Sequence, residues 1–349
     1  MPRVWDVPVH DSTRVRDARV AAEAAATLAG LDSARTAAAS LVATELATNL
    51  LKHTRGGQLL VEIVPAPAPA DRASPVSFVQ IAAIDHGPGI ADVPAALSDG
   101  FSTASSLGAG LGTCRRVADD FALHSVPGRG TVALARVGAR PRAAAPAGLR
   151  AGGVNVPFGG AETSGDAWAW VRSGERTTLM LADGLGHGPE AARASTAAVD
   201  ALHASAHLTP AECLRHLDTA LRGTRGAAVA VAQVDSGAQL LRFAGIGNIG
   251  ARLQEGDRWR ALLCRPGIVG VHRPGTLRED RMPWAAGHLL IMHSDGLPSR
   301  WTPPADPGVL CADPAVVAAV TLRDAGSAAR PVRDDTAVAV LAPTPRDRR

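Results

Sequence analysis

Glu45, Asn49 and His53 stand at i, i+4 and i+8, a spacing that puts them on one helix face with a drift of about 40° per step. A carboxylate beside a carboxamide can orient an attacking hydroxyl and hold Mg²⁺, a hard ion that takes oxygen from both groups. Asp85-His86-Gly87-Pro88-Gly89-Ile90 closes an apolar run. That order sets an acceptor carboxylate at a strand end, beside glycines that let a flat ligand approach the backbone. Gly108-Ala109-Gly110-Leu111-Gly112 then opens a helix and offers backbone N–H groups and a positive dipole end to phosphates. Gly130-Thr131 precedes one more strand. Taken singly, these runs are equally compatible with a solvated helix face, a tight turn and a loop.

The second half carries a different set. Gly165-Asp166 begins a strand, Asp183-Gly184-Leu185-Gly186-His187-Gly188 ends one, Ser294-Asp295-Gly296 ends another, and Asp334-Asp335-Thr336 begins the last. Any one Asp-Gly pair reads most simply as a turn. Brought together by folding, the carboxylates would form a hard-oxygen site for two Mg²⁺ or Mn²⁺ ions, which can activate a water and clamp a phosphoryl oxygen. His203 and His207 lack the intervening Glu of a helical zinc motif and read as an ordinary helix face.

The elements that must position these groups follow from periodicity and caps. Val4 to Val9 alternates as a strand, Asp11 or Ser12 caps an Ala-rich helix to about Gly30, and Asp32 or Ser33 caps a second to about His53. Leu59 to Val64 and Val76 to Ile84 read as strands around a Pro/Ala-rich surface insertion, Pro65 to Pro75. A short helix near Asp92 to Leu97, a helix from Gly112 to about Phe121 and a hairpin at Pro127 to Gly130 complete an α/β sandwich. Residues 139–150, rich in Pro, Gly and Ala, read as a linker between domains 1–138 and 151–343, with a tail at 344–349. Strands dominate beyond the linker, interrupted by two long helices, Pro189 to His207 and Pro210 to Arg222. The fold class is therefore layered α+β.

Composition narrows the function. The 349 residues predict about two domains. The 36 basic residues against 33 acidic ones include a single lysine, Lys52, and there is no tyrosine. Lys52 follows no glycine, which excludes a Walker A loop, and it has no kinase-type V-A-I-K context. A net charge of +3 with 3% aromatic residues is a poor footprint for nucleic acid. No run approaches the length of a membrane span. The cysteines Cys114, Cys213, Cys264 and Cys311 form no C-x-x-C pair and read as reduced, mostly buried thiols of a cytoplasmic protein.

In order and spacing, Glu45-Leu46-Ala47-Thr48-Asn49, Asp85 to Ile90, and Asp99-Gly100-Phe101-Ser102-Thr103 with Leu107 to Gly112 resemble the N, G1 and G2 boxes of the Bergerat-fold (GHKL) ATPases. More closely, they resemble the switch serine kinases of the sigma-B stressosome pathway, relatives of the anti-sigma-factor kinases. This likeness implies ATP and Mg²⁺ as ligands, with Glu45 as the base for a protein hydroxyl and Asn49 carrying Mg²⁺. It implies Asp85 as acceptor of the adenine amino group, with Gly87, Gly89 and Thr131 around the nucleotide. Gly108, Gly110, Leu111 and Gly112 would line the phosphate lid, and Lys52 would either reach a phosphate or face solvent.

The four Asp-Gly sites resemble the metal-dependent protein phosphatases (PPM superfamily) of the sporulation-phosphatase (SpoIIE) branch. Asp183 to Gly188, Gly223-Thr224-Arg225-Gly226-Ala227-Ala228 and Gly245-Ile246-Gly247-Asn248-Ile249 are most similar to the small phosphatase that resets the stressosome. The likeness implies an α-β-β-α sandwich holding two Mn²⁺ or Mg²⁺ ions. Asp183 and the Gly184 carbonyl would bridge the metals, with Asp166 and Asp295 on one side and Asp334 on the second ion. The sequence leaves Asp334 against Asp335 open, with Asp334 preferred. The two resemblances together imply a bifunctional partner-switching regulator, a serine/threonine kinase fused to a phosphoserine/phosphothreonine phosphatase. Its substrates would be STAS-domain antagonist proteins, with a sigma factor or signalling output enzyme downstream and no nucleic-acid or membrane partner. The alternative is a phosphatase governed by a non-catalytic domain that senses ATP or sequesters a partner.

Overall fold

The computed structural model describes residues 3–65, 77–97, 110–139, 148–326 and 334–343. Two compact units divide the chain. The first contains β1 (Val4–Val9), α1 (Ser12–Leu28), α2 (Ser33–Thr54), β2 (Gly57–Pro65), β3 (Ser77–Ile84), α3 (Val93–Ala96), α4 (Leu111–Val117), β4 (Asp120–Val126) and β5 (Gly130–Gly138). Its strands form an antiparallel sheet in the order β1-β2-β3-β5-β4.

Local chemistry fixes the helices. Asp11 accepts from Thr13 N at the start of α1, and Asp32 accepts from Arg35 N at the start of α2, each satisfying an orphan donor of the first turn. Small residues of α1 (Ala18, Ala22, Ala25) and α2 (Ala39, Ala43, Ala47) are buried with Leu59, Val61, Val79, Ile81 and Ala135, one face of the sheet. Alanine lets the two helices lie close together and close to the strands. α4 is shorter than the sequence predicts. Ala118 turns extended and β4 begins at Asp120, so the last two residues of the expected helix, Asp120 and Phe121, are strand.

The second unit contains β6 (Leu149–Val156), β7 (Asp166–Ser173), β8 (Arg176–Gly184), α5 (Pro189–Ala204), α6 (Pro210–Ala220), β9 (Ala227–Asp235), β10 (Leu240–Ile246), β11 (Gly250–Glu255), β12 (Arg258–Leu262), β13 (Asp280–Pro283), β14 (Leu289–His293), α7 (Pro307–Leu310), α8 (Pro314–Ala325) and β15 (Thr336–Pro343). Two antiparallel sheets, ordered β13-β10-β9-β8-β7 and β12-β11-β14-β15-β6, face each other. α5 and α6 pack on the first sheet and α8 on the second, which is the α-β-β-α sandwich expected from the sequence. α8 itself is a third substantial helix where two were expected. Asp313 caps it through Ala315 N and Pro314 occupies its first turn, while Ala315 to Leu322 are buried all round. An apolar helix with no polar face has no amphipathic period to betray it.

Among the described residues no helix is long and apolar enough to cross a membrane. Cys114 and Cys213 are buried, whereas Cys311 is exposed.

Candidate active sites

In the first unit α2 presents Glu45 and Asn49 half-buried, while Lys52 and His53, one turn further on, are exposed. Desolvation pushes the Glu45 carboxyl above its usual range, and the Lys52 ammonium pulls it partly back. A carboxylate tuned upward is a better proton acceptor than an ordinary one. The side chain of Asn49 has no hydrogen-bond partner among the described residues, which leaves its carboxamide oxygen available to a hard cation.

Asp85 follows β3 and is 4% exposed. Its Oδ1 accepts from Gly87 N at 2.7 Å and Thr131 N at 3.2 Å, and its own N–H donates to Thr131 O at 3.0 Å. The carboxylate is thereby fixed to β5. Gly89 has φ +72, and a Cβ there would sit 2.2 Å from Val126 O, so the turn closes on β4 only with glycine. Two groups missed in the sequence hold this turn. Ser125 Oγ accepts from Ile90 N at 2.8 Å and pairs with Thr131 Oγ1 at 2.8 Å. Thr54 fills the space that a Gly87 side chain would need, its Cβ 2.7 Å from a Cβ built there. Nothing in the local sequence marks either residue. Gly110 is the N-cap of α4 without a side-chain bond, followed by half-buried Leu111 and buried Gly112. Gly108 lies outside the described residues, as do residues 99–103 of the expected lid and residues 66–75 of the insertion.

In the second unit the strand registers do the assembling. Asp166 opens β7 directly opposite Asp183 at the end of β8. β14 runs antiparallel to β15, so its C-terminal end meets the start of β15. Ser294 extends that ladder, donating its N–H to Ala337 O at 3.1 Å and accepting Ala337 N on Oγ at 2.9 Å. Asp295 is thus carried to Asp334 and Asp335. Gly184 admits no side chain, since a Cβ would stand 2.2 Å from Ala191 O.

The carboxylates sense one another. Burial pushes Asp166 well above the carboxylate range, with Asp183 adding repulsion. Asp183 is pushed up to about 7 by burial and then by Asp295, Asp334 and Asp335. Asp295 is raised by burial and Asp334, against a hydrogen bond from Asn248 Nδ2 at 2.7 Å. No three carboxylate, imidazole or thiolate groups among the described residues are close enough to hold an ion as a ready-made cluster. Hard divalent ions such as Mg²⁺ keep several waters and take one or two carboxylates directly, so such a cluster is not required. The donor set fits a cation on a separate ground. Asp166 Oδ2 is buried without a hydrogen-bond partner, an arrangement a positive charge would satisfy.

Asp334 and Asp335 part company. Asp335 is buried, and its two oxygens accept from Phe158 N and Gly165 N, each at 2.8 Å. Asp334 is exposed and uses only Oδ1, for Asp335 N at 2.9 Å. The first ties the entry of β7 to β15, and the second keeps an oxygen for a ligand. Asn248, inside the Gly-Ile-Gly-Asn run, went unassigned in the sequence although it orients Asp295. His203 and His207 do not share a helix face, because α5 ends at Ala204.

Comparison with known proteins places both units. Residues 9–136 match the family model of the histidine kinase-like ATPase domain, and residues 173–342 match that of Stage II sporulation protein E (SpoIIE). The serine/threonine-protein kinase RsbT of Bacillus subtilis (strain 168) is 44% identical over 87 residues, which is 25% of this chain. The chain spans 60% of the length of that relative. The structure of the PP2C phosphatase domain of SpoIIE from Bacillus subtilis, with a fragment of its regulatory domain, shares the fold. It is 15% identical at a TM-score of 0.50, over 76% of this chain and 79% of that one. A structure described as the bacterial stressosome, adapted to control secondary messenger signalling, is 30% identical over 55% of this chain and 98% of that one, with a TM-score of 0.47. Residues 9–136 are therefore similar to a histidine kinase-like ATPase domain, with RsbT among the relatives, and residues 173–342 are similar to the SpoIIE family.

Proposed function

We propose that the chain is a bifunctional partner-switching regulator, an ATP-dependent serine/threonine protein kinase and a metal-dependent phosphoserine/phosphothreonine phosphatase acting on STAS-domain proteins. The domains are taken as 1–138 and 149–343, because β6 begins at Leu149, inside the linker expected at 139–150. The observation that carries this reading is the convergence of Asp166, Asp183, Asp295 and Asp334 at one end of two sheets, in a chain that also presents Glu45 and Asn49 on one helix.

In the kinase domain Asp85 would accept the adenine amino group, and Asn49 would carry Mg²⁺. The N–H groups at Gly110, Leu111 and Gly112 would meet phosphate oxygens. Glu45 would take the proton of the substrate hydroxyl as that oxygen bonds to the γ-phosphorus and ADP leaves. In the phosphatase domain Asp166, Asp183, the Gly184 carbonyl, Asp295 and Asp334 would hold two divalent ions, Mn²⁺ or Mg²⁺, with Asn248 orienting Asp295. Ions bound there would acidify a water and neutralise phosphoryl charge. The likeness to the serine/threonine-protein kinase RsbT supports a protein hydroxyl as the phosphate acceptor.

Purified chain, a STAS-domain protein and Mg²⁺-ATP test both halves. Phosphate should transfer to a serine or threonine of the STAS protein, and Mn²⁺ should release it again. Absence of transfer together with unchanged release in Asp183→Ala defeats the proposal.

A further inference from the structure

The geometry points to Arg225 as the residue that grips the phosphoryl group of the substrate in the phosphatase site. The inference rests on the phosphatase reading and adds to it a substrate-binding side chain that is not among the candidate ligands.

β9 begins at Ala227, which pairs with Gly184 at the end of β8, so Arg225 stands two residues before the strand that flanks Asp183. Leu185 N donates to Gly226 O at 3.0 Å, which locks the loop of Arg225 to the turn that follows Gly184. Gly226 holds φ +80 and has no room for a side chain, with Ile268 Cγ2 and Val269 O each 2.7 Å from a Cβ built there. The guanidinium reaches over that turn, since a Cβ built on Gly186 would lie 3.3 Å from Arg225 Nη1.

Arg225 is exposed and has no ion-pair or hydrogen-bond partner among the described residues. Several arginines of the same unit are engaged, whereas Arg193, Arg222 and Arg265 share with Arg225 the lack of a partner for the guanidinium among the described residues, so it is the place of Arg225 over the Gly186 turn that singles it out. Arg176 pairs with Asp235, Arg242 with Glu279, Arg260 with Glu255 and Arg273 with Asp218. Asp183, three residues before Gly186, senses the carboxylates of Asp295 and Asp334, a group of charges that repels a phosphate dianion. An uncommitted guanidinium over the Gly186 turn supplies the opposite charge, and its planar fork matches two phosphoryl oxygens at once. Lysine offers only a point charge in its place.

The test uses the full chain with Mn²⁺, in wild type, Arg225→Ala and Arg225→Lys. Anisotropy reports binding of a labelled serine peptide carrying a non-hydrolysable phosphonate, electron paramagnetic resonance reports Mn²⁺ binding, and release of phosphate from the phosphoserine peptide reports turnover. Arg225→Ala should weaken phosphonate-peptide binding about 10- to 100-fold and raise KM, with Mn²⁺ affinity unchanged, while Arg225→Lys should recover part of the loss. Phosphonate binding in Arg225→Ala within about twofold of wild type, or Mn²⁺ affinity falling in parallel, overturns the assignment. Wild-type protein that binds Mn²⁺ yet hydrolyses no phosphoserine instead sinks the phosphatase reading, and this inference with it.

Discussion

Asp85 and Asp166 are both carboxylates almost out of contact with water, at 4% and 1% exposure, yet their surroundings are opposite. One oxygen of Asp85 accepts two backbone N–H groups, so the chain itself supplies the positive partners. Asp166 keeps Oδ2 without a partner and faces Asp183 across the ladder, so its charge is opposed rather than compensated. The first arrangement is complete in the folded chain. The second becomes favourable only when cations arrive. The two halves therefore differ in what they require from solution, and that difference can be broken selectively.

The largest effect should come from Asp183→Ala. Losing the carboxylate that faces the other three should cost phosphoserine hydrolysis about 10³-fold in kcat/KM, with ATP affinity unchanged by equilibrium dialysis. Asp85→Ala should do the converse, weakening ATP binding about 10- to 100-fold by titration calorimetry while hydrolysis continues. Asn248→Ala leaves every candidate ligand in place but frees Asp295 to rotate, and Mn²⁺ affinity should fall about 10-fold.

The smallest effect is on stability. Because the folded-state pKa of Asp183 is raised to about 7, the unfolded chain gives up this proton first as pH rises. The stabilising contribution is complete below about pH 4 and is lost as pH climbs through about 7. Burial of Asp166 and Asp295 acts in the same direction. In metal-free protein, calorimetry should therefore show the second unit melting on the order of 5 °C lower at pH 8 than at pH 5, and Mn²⁺ should remove the difference. A melting temperature that rises with pH in chelator contradicts the picture of opposed carboxylates.

Much of this contrast was legible in the sequence. Asp11 and Asp32 announce their helices, and the Asp-Gly pairs at 183–184 and 295–296 mark strand ends. What escaped is what folding alone creates. Ser125 and Thr54 matter because β4 and α2 bring them to the Asp85 turn. Adjacent Asp334 and Asp335 are indistinguishable as letters, and they separate only when the backbone N–H groups of Phe158 and Gly165 claim Asp335. α8 is hidden because it is buried on every side. The helix expected to reach Phe121 overruns α4 because Phe121, apolar in either reading, belongs to β4. Lys52 sits within electrostatic reach of Glu45. Its charge offsets part of the desolvation of that carboxyl, an effect outside both readings of Lys52 as a phosphate contact or a solvent-facing residue.

The central claim is that one chain carries two opposed activities in separable sites. It is met most directly by following radiolabel from γ-labelled ATP on a STAS-domain protein with wild type, Glu45→Ala and Asp183→Ala side by side, all with Mg²⁺ and Mn²⁺. Wild type should give a transient rise and fall of label, Glu45→Ala no label, and Asp183→Ala label that accumulates and stays. Undiminished labelling by Glu45→Ala, or label that still decays with Asp183→Ala, contradicts the account.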